Sequence, residues 1–83
     1  SMKAGDLVTN VMAVHTNTSV HSKRYEAGKI GIVTGVEQTN LNKSYNANGK
    51  GDVYVDVVLA TEDGPISCGH YLASVFEVIN ETR

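Results

Sequence analysis

Tryptophan is absent from this sequence of 83 residues, and cysteine, proline and phenylalanine occur once each. A lone cysteine, Cys68, leaves no intrachain disulfide to form, which excludes the stapled scaffolds of small secreted domains and points to a reducing compartment. No apolar run approaches the roughly 18 residues that span a bilayer as a helix, and the N-terminal stretch lacks the charged and apolar regions of a signal peptide. The expected location is the cytoplasm, with no membrane partner. Neither charge sign dominates: the formal net charge is -2, so no overall field gathers a polyanion and nonspecific nucleic-acid binding is disfavoured. Internal repeats, coiled-coil heptads and helical periodicity of ordinary length are also missing.

With aromatics scarce, valine and isoleucine must do most of the burying, and β-branched side chains favour strands. A chain this short buries only about 60% of the surface its unfolded form exposes, so splitting the core would leave neither half stable. One domain over residues 2–83 is predicted, with Ser1 an appended residue ahead of Met2.

Strand signals recur along the chain. Residues 7–12 alternate, with Leu7, Thr9 and Val11 on one face and Val8, Asn10 and Met12 on the other. Residues 16–28 are polar without a sustained period and read as a long excursion between strands, the 15–27 loop. Ile30, Ile32 and Val36 share a face of the next strand, where Gly28, Gly31 and Gly35 mark a turn and sites of bending or close backbone approach. The Asn-rich stretch 37–51 suits an exposed loop. Val53, Val55, Val57 and Leu59 then oppose Tyr54 and Asp56 on a central strand, and Glu62-Asp63-Gly64-Pro65 turns the chain into a return strand through Ile66 and Cys68. Residues 69–76 suit one helical or 3₁₀ turn that buries Leu72 and, in second place, Val75, ahead of a last strand through Phe76, Val78 and Ile79. The fold class is mainly β.

The order of these signals resembles a known family. Gly5-Asp6-Leu7-Val8 near the start, Gly28-Lys29-Ile30-Gly31-Ile32-Val33 after a loop and Leu72-Ala73-Ser74-Val75-Phe76-Glu77-Val78-Ile79 at the end are similar to the five-stranded SH3-like small barrels. KOW-like domains and small proteins of tailed bacteriophages belong to that group. The resemblance covers nearly the whole chain and implies a five-stranded SH3-like barrel with a single turn before the last strand. It implies phage or phage-like origin and hence a host cytoplasm. It says little about activity, because one fold hosts many. In KOW domains basic and aromatic loop residues touch RNA or protein. A looser likeness to small barrels that dock on photosynthetic electron-transfer complexes lacks their Trp-containing signature.

Candidate chemistry is sparse. Cys68-x-His70 with His15 and His21 offers zinc-ligand types, but no paired spacing on tight turns supports a metal site. Cys68 as a nucleophile needs an activating base, and His70, two residues along, would share its strand face. A barrel this small leaves little room for a substrate pocket, so no enzyme, no catalytic residue, no metal and no cofactor is expected. The most distinctive polar stretch is His15, His21, Lys23, Arg24 and Tyr25. Two functions follow. In one, a protein-interaction module uses the 15–27 loop and an exposed barrel face or open edge strand, with Tyr54 outward on the central strand and edge pairing as a route to homo-oligomers. In the other, a KOW-like nucleic-acid module uses Lys23, Arg24, Tyr25 and Lys29, with Lys43 and Lys50 nearby if the two loops converge. A protein partner is favoured by the net charge.

Overall fold

The computed structural model describes residues 1–17, 22–39 and 51–80. They form a mainly β structure of seven strands: β1 (Leu7–Asn10), β2 (Val14–Asn17), β3 (Ser22–Tyr25), β4 (Ile30–Gln38), β5 (Val53–Thr61), β6 (Gly64–Leu72) and β7 (Phe76–Asn80). A 3₁₀ turn at Ala73–Val75 leads into β7, as the sequence predicts. Five strands make one antiparallel sheet in the order β6-β5-β4-β1-β7, and β2 pairs with β3 in a second, two-stranded sheet. Among the described residues no ladder joins β6 to β7, so the closed barrel expected from the sequence is not seen; the sheet is open at both edges.

The stretch expected as an irregular excursion is instead the β2–β3 hairpin, paired from Val14↔Tyr25 to Asn17↔Ser22. Its period was hard to see because just two apolar side chains, Val14 and Tyr25, turn inward, both at its base. The base is fastened by Asn10, which is 1% exposed. Its side-chain amide donates to the Met12 and Glu26 carbonyls at 3.0 Å and its Oδ1 accepts from Lys29 N at 2.8 Å, so the ends of the hairpin close on one buried amide. One residue beyond the base, β2 is tied to β6: the Tyr71 hydroxyl accepts from His15 N at 2.8 Å and donates to His15 O at 2.7 Å.

The core lies between the inner face of the five-stranded sheet, the hairpin base and the turn before β7. Val8, Val33, Val55, Val57, Leu59 and Cys68 meet Val14, Tyr25, Val75 and Phe76 there, each large apolar side chain contributing about 1.5–3 kcal/mol by leaving water. Tyr71 packs edge-on against Phe76, with ring centroids 6.3 Å apart. The alternation predicted for the central strand is the one observed, with Val55, Val57 and Leu59 buried. Of the two residues the turn was expected to bury, Val75 is buried and Leu72 is 41% exposed; the 3₁₀ turn begins only at Ala73, so Leu72 closes β6 opposite Tyr54.

Two register shifts decide which side chains reach the outer face. In β4 the shift between Val33 and Gly35 sets Val36 opposite Val55, separating it from Ile30 and Ile32, which pair with Ala60 and Val58. Gly31 faces inward at the bend: a Cβ there would lie 2.7 Å from Val57 Cγ1 and 2.8 Å from Val58 O, so only glycine lets the strands approach this closely. In β6 the shift opposite Val55 and Val57 leaves Gly69 and His70 facing Asp56 together, a β-bulge.

Candidate functional site

Three regions bear on function: the hairpin, the lone cysteine and the outer face of the sheet. The hairpin cations are all engaged. Lys23 pairs with Asp63 and lies 5.3 Å from the centre of the Tyr25 ring; Arg24 Nε donates to Glu26 at 2.9 Å; Lys29 Nζ stands 3.4 Å from Glu62. The Asp63 hydrogen bond raises the Lys23 pKa, holding its charge in that pair. Tyr25, expected as a ring on which a base or partner could stack, is 3% exposed, and its hydroxyl donates to Asp63 at 2.9 Å. Burial, and then that bond, push its phenol pKa up. His21, Lys43 and Lys50 lie outside the described residues, as does most of the 37–51 stretch.

Cys68 and His70 do not share a face. The bulge turns them apart: Cys68 is in the core, where burial pushes its thiol pKa up, and His70 is exposed on the outside. A neutral buried thiol is a packing group, not a nucleophile. His15 sits on β2 with its backbone bonded to Tyr71, and the described residues contain no cluster of three metal-ligating side chains.

The outer face has two halves. At one end, Leu7, Ile30, Ile32, Val58, Ala60 and Pro65 line an open apolar groove of about 250 Å³. They follow the ladder, Leu7 beside Ile32 beside Val58, and Ile30 beside Ala60 beside Pro65. Ile30 and Ile32 are 46% and 47% exposed, unusual for two β-branched neighbours on a sheet face that antiparallel proteins ordinarily make polar. At the other end, His70 bridges two carboxylates, Nδ1 to Asp56 Oδ1 and Nε2 to Glu37 Oε1, both at 2.9 Å. Tyr54 stacks beside it, with centroids 6.1 Å apart. The Gly69–His70 peptide is cis. Hydrogen bonds to Asp56 and then Glu37 raise the His70 pKa above its ordinary value.

Of the six residues singled out from sequence as binding candidates, Lys23, Arg24 and Lys29 are thus ion-paired and Tyr25 is buried. Tyr54 alone joins the outer face, and His21 is not described. The apolar groove had a sequence signal in the Ile30-Gly31-Ile32 alternation, since a glycine inside leaves the isoleucines outside. The His70 cluster had none, because it depends on the bulge. Compared with protein-family descriptions, curated proteins and solved structures, the chain matches none.

Proposed function

We propose that the chain is a non-catalytic protein-binding module on an SH3-like scaffold, and that it docks a partner protein on the outer face of β1, β4, β5 and β6. The scaffold reading is supported by the strand order β6-β5-β4-β1-β7, the hairpin between the first and second strands of that sheet, and the 3₁₀ turn before the last. The observation that carries the docking reading is the exposed groove around Ile30 and Ile32, apolar surface left in water on a face with no element packed over it among the described residues. Apolar anchors entering such a groove supply most of the binding energy of small interfaces.

The nucleic-acid reading has less support. Each phosphate contact needs a cation whose charge is available, and Lys23, Arg24 and Lys29 already face Asp63, Glu26 and Glu62. Catalysis is likewise unsupported by a core-facing Cys68 turned away from His70.

Quantitative affinity capture with three forms of the chain tests the docking reading. A specific partner should be retained by the wild type and by Lys23→Ala and depleted about tenfold or more by Ile32→Asp, the loss of one apolar anchor. Retention by Ile32→Asp together with loss by Lys23→Ala would move the site to the hairpin. Binding of a fluorescent single-stranded oligonucleotide at low salt, weakened by Lys23→Ala, would favour the nucleic-acid reading instead.

A further inference from the structure

A neutral imidazole carries one N–H and donates to one carboxylate; both 2.9 Å contacts of His70 are hydrogen bonds only when both ring nitrogens hold protons. The ring joins three strands in this state, β6 through His70 itself, β5 through Asp56 and β4 through Glu37. We propose that His70 is a proton-operated clasp across the polar end of the outer face, whose opening changes the charge that face offers a docking partner. The regulatory half rests on the docking reading above; the clasp itself stands on the geometry.

The arm that opens follows from the surroundings. Asp56 lies in the bulge directly against Gly69, where an added Cβ would fall on its carboxylate, whereas Glu37 is a longer side chain and 61% exposed. A ring that keeps its Nδ1 proton stays on Asp56 and turns the lone pair of Nε2 toward Glu37. Two acceptors then face each other, and Glu37 swings into water. The charged groups facing His70 are Glu37 from β4 and Asp56 from β5, and the Tyr54 ring of β5 stacks alongside. With the proton on, this end of the face carries one net negative charge; with it off, two. A partner bearing Lys or Arg next to its apolar anchor is therefore held more strongly above the titration than below it. The raised pKa keeps the clasp closed to higher pH than an unpaired histidine would hold its proton, and it opens as pH rises through that raised value.

The test is an imidazole ¹H–¹⁵N correlation titration of the full chain, which needs no partner. The expected midpoint for His70 lies above that of histidine in an unstructured peptide with the same flanking residues. Glu37→Gln and Asp56→Asn each lower it, and above the midpoint the ring settles as the Nδ1–H tautomer. The backbone amides of Gly35 and Val58, on the same face, move with that midpoint in the wild type and stay still in His70→Gln. A wild-type midpoint equal to the peptide's, one indifferent to Glu37→Gln, or a face whose amides ignore it overturns the proposal. Should Asp56→Asn fail to fold, Glu37→Gln alone decides. Failure of the docking reading registers separately, in the Ile32→Asp capture.

Discussion

Single side chains hold this small sheet at points where no neighbour can substitute. Asn10, itself buried, closes the hairpin base with three hydrogen bonds, so Asn10→Ala leaves two carbonyls and an amide without these partners. A loss of about 1–3 kcal/mol is expected, read as a lower urea midpoint. Gly31 and Gly35 make an internal comparison. Gly31→Ala drives a methyl into Val57 and the Val58 carbonyl and should cost about 1–3 kcal/mol. Gly35→Ala meets only the Asp56 carboxylate at 3.4 Å and should cost much less. Asp6 contributes to stability on the acid side. Its carboxylate, 1% exposed, accepts from Lys3 Nζ at 2.8 Å and from Lys3 N at 3.0 Å, and the Lys3 side chain is the first cause of its lowered pKa. The stability this lends is present above the ordinary carboxylate range and is lost as pH falls through the lowered folded value. Asp6→Asn should therefore be less stable at neutral pH yet lose less on acidification, measured by thermal melts between neutral and strongly acid pH. These residues also explain the Gly5-Asp6 opening read in the sequence: Gly5 at φ 94° donates to the Val33 carbonyl and hands Asp6 to Lys3.

At the scale of elements, strands with a two-residue apolar period on one face were legible and their exceptions were not. β5 alternates without interruption and was read correctly in sequence, face by face. β4 and β6 each carry a register shift, and past such a shift every assignment of inside and outside reverses. That is why Val36 was placed with the isoleucines, and His70 with Cys68. The hairpin was missed for a different reason: its ordering comes from contacts distant in sequence, Asn10 to Glu26 and His15 to Tyr71, rather than from its own pattern. Its attachment is correspondingly local. Tyr71→Phe removes both bonds to His15 while keeping the ring against Phe76. It should cost about 1–2 kcal/mol and speed amide exchange in β2 and β3 more than in β5, which exchange monitored by NMR will show.

For the molecule as a whole, one-sided burial is the organising fact. The inner face of the sheet carries the buried core of Val8, Val33, Val55, Val57, Leu59 and Cys68, and the outer face keeps an apolar half and a charged half side by side on the same strands. Composition and pattern reached an exposed face or edge only as a candidate surface, because which residues stand on that face is set by bends and bulges. The ladder between β1 and β7 has a further consequence. It pairs Val8 with Val78 across almost the whole described chain, whereas β5 and β6 are joined by a tight turn. Bringing the distant pair together forfeits the most chain freedom, so the nearby hairpins should already be formed when the refolding barrier is crossed and this seam should zip afterwards. In stopped-flow chevrons, Val78→Ala should accelerate unfolding with little change in the refolding arm, while Val57→Ala, in the β5–β6 hairpin, should slow refolding.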